Sequence, residues 1–135
     1  MIEVTFIPIL AAGIASTLLG MAWYHPKVFG AAWMRMSNIT PEMAEKGKRR
    51  MPLLALVGLA AAMLVAWVMN YIGILLGVYD IVGAVVLGFW CWIGFVAPTM
   101  LGMVLWEQKP FRLYMINSAY WLTSFVVMAI ILLLL

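Results

Sequence analysis

The chain carries one histidine, one cysteine and five acidic residues, and each scarcity removes a class of chemistry. Cys91 alone excludes an intramolecular disulfide and any cysteine-based metal site within one chain. Set between Trp90 and Trp92 in an apolar stretch, it reads as inert packing. His25 has no orienting or nucleophilic partner in view, and no apolar run holds a histidine suited to haem. Phosphate loops, zinc motifs and carboxylates paired at a useful spacing are all missing. No cofactor and no metal are therefore expected, and the residues do not point to an enzyme. The widest absence is of charge, since no Asp, Glu, Lys, Arg or His lies in the middle of any of four long apolar runs. Proton-coupled transporters usually keep at least one such group in the membrane.

What fills the space is hydrophobic: 67% of residues against 10% charged, too little polar surface for a soluble domain. The runs are roughly Val4–Tyr24, Leu53–Val78, Ile81–Trp106 and Leu113–Leu135. Each approaches or exceeds the roughly 20 residues that cross a hydrocarbon core about 30 Å thick. The expected fold is an all-α membrane protein, four transmembrane helices in a compact bundle. Residues 1–135 form a single transmembrane domain, with residues 25–52 as a cytoplasmic segment. The first run is not expected to be a cleaved signal peptide, because it starts with Glu3, is long, and ends in the interface pair Trp23-Tyr24. No soluble tail is expected after the fourth run.

Orientation follows from the basic residues. Lys27, Arg35, Lys46, Lys48, Arg49 and Arg50 occupy the first connection, Lys109 and Arg112 the third, and the Tyr79-Asp80 turn has none. The two basic connections lie on one side, which is expected to be the cytoplasm, with both termini outside. The net charge of +3 is then a topology signal that needs no nucleic acid.

Pro26 ends the first span. Phe29, Trp33 and Met36, with Lys27 and Arg35 beside them, predict a short amphipathic helix in the headgroup region. Asn38-Ile39 is a break, Thr40 an N-cap, and Pro41 and Glu42 open a short solvated helix. Glu42/Lys46 and Glu45/Arg49 are acid-to-base pairs at i,i+4. Lys46, Lys48, Arg49 and Arg50 could touch anionic lipid.

Small residues mark close helix approach in lipid. Ala12, Ser16 and Gly20 form one stripe, and Gly58/Ala62 and Gly73/Gly77 repeat the spacing. Spans two and three are expected to be adjacent as an antiparallel hairpin. On span three, Trp90, Gly94, Pro98, Gly102 and Trp106 recur every four residues. That groove suits a neighbouring helix better than a lipid tail or apolar ligand, and Pro98 is expected to bend it. The C-terminal half of span four is expected to face lipid.

Polar groups inside lipid need partners. At about 1.5 Å per residue, Asn117 lies ~6–10 Å from the cytoplasmic edge, and Ser16, Thr17 and Thr99 lie at ~10–12 Å. With Tyr120 they could form a polar pocket open to the cytoplasm. His25, Glu107, Arg112, Trp23 and Trp106 form a candidate rim. Asn70, ~25 Å from the start of its span, is too far from Asn117 to pair with it and is expected to meet Trp67, Tyr71 or a second copy.

Three segments carry a family resemblance: Gly20-Met-Ala-Trp23-Tyr24-His-Pro26-Lys-Val-Phe29-Gly30-Ala-Ala-Trp33-Met34, Gly88-Phe-Trp-Cys-Trp92-Ile-Gly94-Phe, and Trp106-Glu107-Gln-Lys-Pro110-Phe111-Arg-Leu-Tyr114-Met-Ile-Asn117-Ser-Ala-Tyr120. The chain resembles, over almost its whole length, a bacterial membrane family catalogued as a domain of unknown function, number seventeen sixty-one. The resemblance implies a four-helix integral membrane protein and transfers no catalytic residue. His25 stands where a small residue is more usual. The Trp-Pro-Phe endings of spans one and three also allow a two-plus-two repeat. The leading functional expectation is a non-enzymatic bundle that self-associates or serves as an accessory subunit of a larger membrane complex. A small-solute transporter or channel built on the Asn117 layer is the alternative, and an enzyme acting on a lipid or quinone at the Trp90–Trp106 groove is a third reading.

Overall fold

The computed structural model describes all 135 residues, Met1–Leu135. It is helical, without strands. Four helices are long and apolar enough to cross a membrane: α1 (Phe6–Trp23), α4 (Met51–Leu75), α5 (Ile81–Leu105) and α6 (Phe111–Leu134). The chain is a multi-pass membrane protein. Two short helices, α2 (Ala31–Met36) and α3 (Pro41–Arg49), occupy the first connection. With four crossings, all eight Lys and Arg residues fall at one end of the bundle, here termed the basic end.

The local signals act through identifiable bonds. Thr40 Oγ1 accepts from Met43 N at 3.2 Å, capping α3 as its sequence predicts, and Asp80 Oδ1 accepts from Gly83 N at 2.8 Å to open α5. Asn38 takes a left-handed φ of 57° at the predicted break, and Gly77 (φ 68°) closes the end of α4. Neither predicted i,i+4 ion pair forms on α3. Its salt bridge is Lys48–Glu45 at 3.8 Å, between exposed side chains, a contact worth little in water.

Between α1 and α2 the chain turns through a π-type elbow, Pro26–Gly30. His25 Nδ1 accepts from Lys27 N at 3.1 Å and holds its start. A Cβ at Gly30 would collide with the Tyr24 carbonyl and His25 backbone, so the elbow requires glycine there.

α1 lies between α4 and α6, and α6 also packs along α5. The predicted small-residue stripe faces α6, with Ala12 and Ser16 fully buried. Gly13 turns to α4, where an added Cβ would press on Met63 and Leu59. Gly88 lets α5 touch the α6 backbone, its would-be Cβ falling 2.9 Å from Val126 Cα and 3.0 Å from the Phe125 carbonyl oxygen.

Two expectations fail. The C-terminal half of α6 does not simply face lipid: Phe125, Met128, Ala129 and Leu132 are buried in the main apolar cluster with Ala12, Ala66, Ala84 and Leu87. In lipid a buried face need be no more apolar than an exposed one, so its composition conceals its position. Spans two and three, though joined by a short turn, touch little along their length. They meet at Gly73, where Leu87 lies beside the backbone, and then diverge.

α5 is not a continuous α-helix. Residues Trp92–Val96 form a π segment just ahead of Pro98. Pro98 supplies no N–H and its ring crowds the preceding turn, and an inserted residue relieves both. The insertion also breaks the four-residue period of Trp90, Gly94, Pro98, Gly102 and Trp106.

Candidate functional site

The polar layer gathers around α1 and α6, at the basic half of the bundle. Tyr120 OH donates to the Ser16 carbonyl at 2.9 Å and lies 3.3 Å from Ser16 Oγ. Ser16 Oγ is 2.6 Å from Ser124 Oγ, one helical turn beyond Tyr120. All three residues are buried. Gly20 makes the arrangement possible, because a Cβ there would sit 3.1 Å from the phenol oxygen. Nearer the basic end, Tyr24 OH donates to Asn117 Oδ1 at 2.7 Å. The Tyr24 ring stands edge-on to Tyr120 at 5.5 Å and to Trp33 at 5.4 Å. Asn117 is thereby linked to the interfacial helix α2 as well as to α1.

Of the five residues predicted for this layer, Ser16 and Tyr120 bond to each other, and Asn117 joins them through Tyr24. Thr17 and Thr99 do not. Thr17 Oγ1 donates back to the Gly13 carbonyl at 2.9 Å. Thr99 is exposed and bonds the carbonyls of Phe95 and Val96 at 2.7 and 2.9 Å. Depth does not fix which way a side chain points, and Thr99 satisfies its hydroxyl on its own helix. Tyr24 and Ser124 were not placed in the pocket by sequence. Ser124 could have been found, because it shares a face of α6 with Asn117 and Tyr120. Tyr24 was masked by its position in a Trp-Tyr pair typical of membrane interfaces. The resulting hydroxyl cluster is closed, each member bonded to another or to backbone.

The rim residues scatter. Trp23 is half-buried, donates Nε1–H to the Ile116 carbonyl at 3.1 Å, and packs on Phe29 with ring centres 5.1 Å apart. His25, Glu107, Arg112 and Trp106 are exposed, and none forms a salt bridge. Trp92 Nε1 donates to the Ser118 carbonyl, and Tyr114 OH to the Ala97 carbonyl, both at 2.8 Å, fastening α5 to α6.

The groove residues Trp90, Gly94 and Pro98 face outward, and Gly102 is half-buried against its own Trp106. A Cβ at Gly94 would meet nothing within 4 Å, and neither would one at Gly58. No helix of the chain fills this surface. Beside it, the divergence of α4 and α5 leaves a slot. Its outer part, about 530 Å³, opens at Tyr79 and Asp80. A deeper part of about 310 Å³ is lined by Leu64 and Val68 and backed by Phe125. Ile72, Cys91 and Phe95 border both parts.

Asn70 does not pair with Trp67 or Tyr71 and does not face outward. It is buried within the chain, and its Oδ1 has no hydrogen-bond partner. Nowhere do three His, Cys, Asp or Glu side chains converge, so no residues are assigned to a metal.

The family described as Protein of unknown function (DUF1761) matches residues 7–133, spanning all four long helices. The chain belongs to this family. No curated protein and no solved structure matches it significantly. Membership brings no activity with it.

Proposed function

We propose that this family member works by association within the membrane, as a self-assembling bundle or an accessory subunit of a larger complex. The 135 residues act as one transmembrane unit in a bacterial inner membrane, with the basic end in the cytoplasm. The observation that carries this reading is the slot between α4 and α5. The other long helices are joined along α1–α4, α1–α6 and α5–α6. The open side is largely apolar, and on the same helix α5 the outward Gly94 is uncovered, an added Cβ there meeting nothing within 4 Å. Small residues at a lipid-facing position admit the backbone of another helix, where packing replaces the hydrophobic drive. The polar layer offers less support for a solute path, because Ser16, Tyr120 and Ser124 satisfy one another.

Particle mass in mild detergent or lipid discs tests the reading. An oligomer or a stoichiometric partner is expected in the wild type. Val68→Trp, which fills the slot from α4, is expected to reduce that species while leaving helicity unchanged. A strictly monomeric wild-type particle without a partner would sink the proposal.

A further inference from the structure

The basic residues stand in two settings. Lys46, Lys48 and Arg49 project from α3, a helix with no buried residue. Arg35 and Arg112 instead line one cavity of about 380 Å³, together with Ala32, Met36, Met115 and Ile116. Arg35 belongs to the last turn of α2 and Arg112 to the first turn of α6. The cavity therefore sits where the interfacial helix meets the basic end of a membrane-spanning helix.

Both guanidiniums are exposed and neither is paired with a carboxylate, the chain's one salt bridge being Lys48–Glu45. The surrounding backbone adds to the demand for negative charge. α6 runs for 24 residues and begins after Pro110, with no side-chain cap and no acidic residue in its first turn. The amides of Phe111 and Arg112 have no carbonyl partner. Such a helix start carries a partial positive charge and free N–H groups. Three of the last carbonyls of α2 are already engaged, Trp33, Arg35 and Met34 O accepting from Ser37, Asn38 and Ile39 N. The remaining four lining residues are apolar, which a free inorganic anion does not need and a lipid does.

From this combination we infer that Arg35 and Arg112 form a binding site for the phosphodiester headgroup of an anionic phospholipid. The phosphate lies between the two guanidiniums at the start of α6, and the first part of an acyl chain runs along Met115 and Ile116. Guanidinium is suited to bidentate contact with phosphate. The site is separate from the α4/α5 slot, on a different pair of helices, and does not depend on how the bundle associates.

The test is phosphatidylglycerol retention by the purified full chain, titrated in mixed micelles and read by native mass spectrometry against phosphatidylcholine. Wild type is expected to hold one phosphatidylglycerol preferentially. Arg35→Gln/Arg112→Gln is expected to weaken retention about tenfold or more. Lys46→Gln/Arg49→Gln removes the same charge from α3 and is expected to leave that lipid in place. Met115→Trp keeps both arginines but fills the cavity, and is expected to weaken retention as well. Unchanged retention in the arginine double variant, or an equal loss in the α3 control, overturns the site. Displacement of the lipid as effectively by inorganic phosphate as by a short-chain phosphatidylglycerol assigns the cavity to free phosphate and overturns the lipid reading.

Discussion

Tyr24 and Asn117, 93 positions apart in sequence, are joined by a 2.7 Å hydrogen bond from the tyrosine hydroxyl to Asn117 Oδ1. The bond ties the end of α1 to the second turn of α6. Through the Tyr24–Trp33 edge contact it also ties the interfacial helix to both.

Tyr24→Phe removes the donor and leaves the Asn117 oxygen to find another. Hydrogen bonds between membrane helices are worth roughly 0.6–2 kcal/mol, so a loss of about that size is expected. Asn117→Leu should cost less in the Tyr24→Phe background than in wild type, so that the double variant loses less than the two single losses added together. Denaturant unfolding of all four forms in one detergent gives the cycle. Strict additivity would show that the bond contributes nothing.

Glycines that look alike in sequence should part company on substitution. Gly88→Ala sets a methyl 2.9 Å from Val126 Cα and 3.0 Å from the Phe125 carbonyl oxygen. Neither can yield without moving the α6 backbone, so a destabilisation of about 1–3 kcal/mol is expected. Gly94→Ala and Gly58→Ala meet nothing within 4 Å and should leave the melting temperature of a single chain close to wild type. Thermal melts in detergent compare the three, and equal effects would remove the close α5/α6 contact as the explanation.

Asn70 should be improvable. Its buried Oδ1 is unpartnered, a condition that costs about 1–3 kcal/mol in proteins. Asn70→Leu, which keeps the branched shape and heavy-atom count and removes the polar atoms, is expected to raise stability or leave it unchanged. A clear fall in denaturant resistance would mean that the amide is satisfied in the membrane.

The membrane spans were legible in the sequence because hydropathy over some 20 residues has few competing explanations. Thr40 and Asp80 were equally legible, since a cap is a local bond. The choice of buried face was not. Phe125, Met128 and Leu132 are core while Leu64, Val68 and Phe95 border an open slot, yet all are apolar, and a helix in lipid needs no polarity contrast between its faces. The spacing from Trp90 to Trp106 failed for a backbone reason, the π segment at Trp92–Val96. Ser16, Tyr120 and Asn117 drew notice because polar atoms in lipid must seek partners, but two of those partners, Ser124 and Tyr24, were not read from depth. Thr99 shows the limit of that argument, because a threonine can satisfy itself on its own helix.

Helix lengths within the bundle differ. α1 has 18 residues and ends at an elbow that Gly30 and His25 hold, whereas α4 has 25. At about 1.5 Å per residue that is ~27 Å against ~37 Å. α1 is therefore the short post of the frame, just matched to a hydrocarbon layer about 30 Å thick. The longer helices can answer a thicker bilayer by changing tilt. α1 cannot lengthen past its elbow without dragging α2 from the headgroups, so in thick membranes the lipid beside it must thin.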